Sequence, residues 1–263
     1  MVPHFKFKIY TVIIFLALCC QNKTDLESIN IDKKQNKADK KILMVGNSFT
    51  FYWNLPQVLE RMFATKDFRI EVDQKTIGGS SLSEHWDYNL HKRYEIEKYD
   101  FVIFNDHSTY AMQNLDTCAK YINLFTNLAN KLNVEPFIYG TWEYPFLKKI
   151  SSSKNSNTMN RLDSLAKINN AIYVPVGDAF KYMEDNYPEI NLYMDDNKHP
   201  SPNATYLAAC VFYSMVTGES PLGLPRRFEG KNIDGKKIYY IITEIYAAEK
   251  SQKVADFITS PLR

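Results

Sequence analysis

The sequence predicts a three-layer α/β/α sandwich around a central parallel sheet. Short, nearly continuous apolar runs recur along the chain, and segments with helical spacing lie between them. Strands buried on both faces read as unbroken apolar stretches, and parallel strands need long crossovers, usually helical, to connect them. The third observation is size: 263 residues, 45% of them hydrophobic and 14% aromatic, suffice for one full core.

The first element is not part of that sandwich. In residues 1–20, "MVPHFKFKIYTVIIFLALCC", Lys6 and Lys8 precede an apolar run from Ile9 to Leu18 that is too short to anchor stably across a bilayer. This is the pattern of a signal peptide. "LALCC" resembles a relaxed bacterial lipoprotein box, with Cys19 or Cys20 as the lipidated residue; the alternative is a plain secretion signal. Residues 21–40, "QNKTDLESINIDKKQNKADK", carry many charges and few large apolar groups, so they read as a disordered spacer. Behind a lipidated cysteine, that spacer would tether an exported domain, residues 41–263, to a membrane through the acyl chains alone.

Within the domain, strands are expected at 41–45, 68–72, 101–104, 136–142 and 171–176. Helices are expected over Leu55–Ala64, Cys118–Leu132, Asn157–Lys167 and Asp178–Asp185, with a surface loop over Ser151–Asn157. With 32 basic against 30 acidic residues, the charge is too even for a nucleic-acid surface. No HExxH, CxxC or clustered histidine pattern is present, so neither a metal nor another cofactor is expected. Cys118 and Cys210 sit in apolar segments and read as buried free thiols, although export would permit a disulfide.

Ser48 follows the first strand in "KILMVGNSFT", where ligands of a parallel sheet bind beyond the carboxyl ends of the strands. It reads either as a nucleophile or as the cap of the helix that follows. In "DDNKHPS", Asp196 and His199 supply an orienting carboxylate and a base three residues apart, with Asp195 the weaker alternative for the acid. Donors for an oxyanion are offered by Gly78 or Gly79 after the second strand and by Asn105 or His107 after the third. Trp86, Trp142 and Tyr144 lie at or beyond strand ends, where their faces could stack on a sugar or pack into the core.

The order of these pieces resembles the SGNH (GDSL-type) hydrolase superfamily over about residues 41–220, with "GNSFT" as its first block and "HPSPNATYLAA" within its last. The resemblance implies a flavodoxin-like fold and ester hydrolysis through an acyl-serine. Catalytic Ser48, Asp196 and His199, with Ser48, Gly78 and Asn105 around the oxyanion, complete the expected site. The expected substrate is an acylated carbohydrate outside the cytoplasm. A lipase, thioesterase or acyltransferase on the same site is the alternative, and a non-catalytic glycan-binding lipoprotein the reading from another class. Two departures stand out: Asn47 replaces the superfamily's usual Asp, and no glycine precedes Asn105 as in G-x-N-D.

Overall fold

The computed structural model describes residues 39–151 and 157–263. The signal-peptide reading, both N-terminal cysteines and the spacer up to residue 38 lie outside the described residues, as does the interior of the loop after Ser151.

Five parallel strands form the sheet: β1 Lys40–Gly46, β2 Ile70–Thr76, β3 Phe101–Phe104, β4 Glu135–Tyr139 and β5 Ile172–Val174, in the order β2-β1-β3-β4-β5. All five sequence-predicted strands are present, with ends shifted by a few residues. Lys40, placed by sequence in the spacer, opens β1, and Asp39 before it pairs with Arg69 at 2.6 Å. The alternation of the strands divides the core. Ile42 and Met44 face a cluster built with α2 (Leu55–Ala64), α8 (Val176–Asn186) and α9 (Pro202–Thr217), whereas Leu43 and Val45 face α3 (Leu82–Asp87), α5 (Leu115–Lys131) and α7 (Thr158–Ile168). The sheet is therefore covered on both sides, as its apolar strands require.

Helix α9 is buried on almost every side. A helix apolar all round needs a second cover besides the sheet. The cover is α10 (Ile245–Thr259), which lies against α9 and α8 after an antiparallel hairpin of β6 (Arg227–Lys231) and β7 (Lys237–Ile242). Neither the hairpin nor α10 is among the sequence-predicted elements. Cys118 and Cys210 are free and buried in the two clusters on opposite faces of the sheet, so they do not pair.

Candidate active site

The site is assembled at the carboxyl ends of β1, β2 and β3. Strand β1 ends at Gly46, where a Cβ would stand 2.7 Å from Asn105 Oδ1 and 2.8 Å from Thr50 Oγ1, so this close approach excludes any side chain. Asn47 follows in extended conformation and caps α1 (Ser48–Phe51), its Oδ1 accepting from Phe49 N–H at 3.1 Å. Ser48 is thus the first residue of the helix rather than its cap. The Asn47 amide also donates to the Ser80 carbonyl at 2.9 Å and the Asp106 carbonyl at 3.0 Å, fastening the ends of β1, β2 and β3 together. Both bonds need N–H donors, which the usual aspartate at this place does not have. That accounts for Asn47.

The Ser48 hydroxyl lies 2.8 Å from His199 Nε2, and His199 Nδ1 lies 2.5 Å from Asp196 Oδ2. The Asp196 carboxyl is pulled upward by burial, but the His199 ring and the N–H groups of residues 199 and 198 outweigh that and hold it below its ordinary value. As an ionised carboxylate it only accepts, so the network assigns the proton to Nδ1 and leaves the Nε2 lone pair facing Ser48. The spacing of three follows from the turn: Asp196 Oδ1 accepts from the N–H groups of Lys198 and His199, each at 3.0 Å, while Asn197 takes the left-handed conformation at φ 53°. Asp195 is exposed and its carboxylate makes no bond among the described residues.

Aromatic groups fix the imidazole. Tyr52 stacks on it at 4.2 Å with an 8° interplanar angle, and Phe49 meets it edge-on at 5.8 Å. Two indoles hold the loop itself: Trp142 Nε1 donates to the Lys198 carbonyl at 3.1 Å and Trp53 Nε1 to the Pro200 carbonyl at 2.9 Å.

The four oxyanion candidates other than Ser48 itself stand differently. Gly78 and Gly79 form an exposed turn closed by Ser80 N–H to the Ile77 carbonyl at 3.1 Å, and Gly79 takes the φ of +74° that such a turn demands. The N–H of Gly78 has no acceptor among the described residues, beneath the ring of Phe51. Asn105 is buried under Gly46: its Oδ1 accepts from Asn47 N–H at 3.3 Å and Thr50 Oγ1 at 3.1 Å, and its amide donates to the Asp106 carbonyl at 2.9 Å. Sequence placed it purely as a donor to substrate; the structure makes it first a strut of the turn that carries Ser48. His107, half-buried, has Nδ1 3.1 Å from Thr109 Oγ1, and burial together with the charge of Lys198 lowers its pKa.

A second serine–histidine contact was missed by sequence. Ser80 Oγ lies 2.9 Å from His85 Nε2, with both side chains buried. The same Nε2 lies 3.0 Å from the Gly46 carbonyl, which only accepts, while Nδ1 meets the Tyr94 hydroxyl. Burial pushes the Tyr94 hydroxyl up to about 12, so it keeps its proton to donate. His85 therefore carries its proton on Nε2 and donates toward Gly46 and Ser80. It braces the β1 and β2 turns against each other.

The aromatic residues singled out by sequence are mostly internal. Trp142 is 1% exposed, sandwiched at 4.2 Å between Phe49 and Phe180; Tyr144 is also buried, and Trp86 stacks on His91 at 4.0 Å. Trp142 and Tyr144 are thus core rather than sugar-facing. Trp53, which sequence passed over, is 38% exposed beside the His199 loop.

No family model matches the chain, and no curated protein matches it. Solved structures do. An SGNH hydrolase candidate from Slackia heliotrinireducens shares 26% identity at a TM-score of 0.57, covering 68% of this chain and 98% of its own. A DUF4886 family protein from Bacteroides uniformis shares 17% identity at a TM-score of 0.60, covering 85% and 96%. The acetylxylan esterase Axe2 from Geobacillus stearothermophilus shares 15% identity at a TM-score of 0.57, covering 69% and 96%. The chain has the α/β/α fold of the SGNH hydrolase superfamily.

Proposed function

We propose that this chain is a serine esterase that removes acetyl or other small acyl groups from carbohydrate outside the cytoplasm. The observation that carries the reading is the unbroken chain from Asp196 through His199 to Ser48, at 2.5 and 2.8 Å, with the imidazole proton on the carboxylate side. A serine hydroxyl is weakly nucleophilic until a base accepts its proton, and this base is poised to do so.

Ser48 Oγ attacks the ester carbonyl as its proton passes to His199 Nε2. The imidazolium is then stabilised by Asp196 and by the face of Tyr52. The N–H groups of Ser48 and Gly78 and the uncommitted amide proton of Asn105 receive the developing negative charge. His199 returns its proton to the leaving alcohol, and water, deprotonated by the same nitrogen, releases the acid from Ser48. The acyl class and the carbohydrate draw support from likeness to an acetylxylan esterase, and export with a lipid anchor rests on the N-terminal sequence alone.

The protein from Asp39 onward is expected to hydrolyse p-nitrophenyl acetate faster than the octanoyl ester. Its Ser48→Ala variant, folded by circular dichroism, is expected to do neither. Equal rates for the two proteins would remove the esterase reading, and preference for octanoyl would turn it toward a lipase.

A further inference from the structure

We infer that the turn Tyr52–Trp53–Asn54 is the subsite for the sugar ring of the substrate, with Trp53 its stacking platform; this rests on the esterase reading of Ser48. The wall that faces substrate on this side is contiguous in sequence with the nucleophile. Phe51 lies over Gly78, its Cζ 3.8 Å from where a Cβ would be. Tyr52 covers the His199 imidazole, and Trp53 extends outward against Pro200.

The backbone marks the position as built. Trp53 has φ 50° and ψ 35°, and Asn54 follows at φ 58° and ψ 37°. Asparagine takes that conformation readily, but a bulky aromatic there is an outlier. A turn required only to reverse the chain takes glycine or asparagine at both places. Here the conformation is held from two sides: by the indole N–H on the Pro200 carbonyl at 2.9 Å, and by Asn54 Nδ2 on the Tyr240 carbonyl of β7 at 2.9 Å. The hairpin outside the α/β/α core therefore braces the turn from behind.

The exposed surface selects the ligand class. With its N–H occupied, Trp53 offers only ring carbon, and a π-face carries partial negative charge that suits the polarised C–H groups on one face of a pyranose. An acyl chain needs an enclosed apolar channel, whereas Trp53 is 38% exposed and followed by an exposed asparagine. The acyl group then sits toward Gly78 and the sugar toward Trp53.

The test is the ratio of kcat/KM for chemically acetylated xylotriose to that for p-nitrophenyl acetate. Trp53→Phe keeps the aromatic face and loses the bond to Pro200; its ratio is expected within about threefold of the parent. Trp53→Leu keeps bulk without a π-face; its ratio is expected to fall about five- to tenfold. Identical ratios in the parent and both variants would overturn the subsite, and so would a selective loss of octanoyl over acetyl ester turnover in Trp53→Leu. If the parent hydrolyses neither ester, the esterase reading fails by itself. The platform is then decided by calorimetry with xylotetraose on Ser48→Ala: binding lost on adding Trp53→Leu supports it, and binding absent or unchanged overturns it.

Discussion

The two serine–histidine pairs differ by only 0.1 Å in Oγ to Nε2 distance, 2.8 Å for Ser48 with His199 and 2.9 Å for Ser80 with His85, yet they are opposite in chemistry. In the first, the far nitrogen faces a carboxylate, the proton sits on Nδ1, and the near nitrogen accepts from serine. In the second, the far nitrogen faces a tyrosine hydroxyl, and the near nitrogen donates to a carbonyl and to the serine. Access differs too, since Ser48 is partly exposed and Ser80 is 4% exposed. A short contact between serine and histidine therefore identifies no nucleophile; the group on the other side of the ring does.

The largest expected effect follows from deleting the two hydroxyls. Ser48→Ala is expected to lower kcat for p-nitrophenyl acetate by on the order of 10⁶-fold, the scale of losing a nucleophile. Ser80→Ala removes a buried hydrogen bond, at about 1 kcal/mol of stability by denaturant titration, and is expected to keep kcat within about tenfold. A comparable collapse in both variants would break the distinction.

Next comes Asp196→Asn, which turns the first pair into a likeness of the second. The amide can donate to Nδ1, so the ring proton moves to Nε2 and faces the serine, with kcat expected to fall about 10⁴-fold while the fold stays intact. Asp195→Asn, at an exposed carboxylate without a partner among the described residues, is expected within about twofold. The reverse ranking would transfer the orienting role to Asp195.

The same contrast explains what the sequence made legible. The five strands and the contacts among Ser48, His199 and Asp196 are encoded locally: apolar runs mark the strands, one strand end carries Ser48, and a single turn sets Asp196 against His199. The second pair depends on packing between turns far apart in sequence, with His85 reaching Gly46 across 39 positions, and nothing in "GGSSLSEHW" states that its histidine points inward. Burial of aromatic residues is equally non-local. Trp142 and Trp53 both follow strand ends, but only the packing of Phe49 and Phe180 distinguishes a core indole from an exposed one. The β6–β7 hairpin and α10 escaped because their alternation and periodicity are weak; their stability comes from covering α9, a requirement visible only once α9 is placed.

The smallest expected effect sharpens the comparison through pH. Burial lowers the pKa of His85 below 6.5, outweighing the Gly46 carbonyl and the charge of Glu84, which raise it. The folded protein thus keeps His85 neutral while the unfolded chain binds a proton near the ordinary value, so the unfolded state holds more protons below about 6.5. The stability due to the neutral ring is complete above that value and declines as the pH falls toward the folded pKa. His91 and His107 are lowered by burial as well and act in the same direction, whereas Asp196 titrates below 3.8, outside this window. His85→Gln supplies an amide donor for the Gly46 carbonyl but cannot titrate. Between pH 7 and 5 its unfolding free energy, measured in urea, is expected to vary less steeply than the parent's, by at most about 1.4 kcal/mol per pH unit, the weight of one proton. Reading the slope rather than the offset separates this charge effect from any packing cost of the substitution. A parent and variant with parallel slopes would mean that His85 binds protons alike in the folded and unfolded states, and the neutral ring held by burial, on which the contrast with His199 depends, would fall.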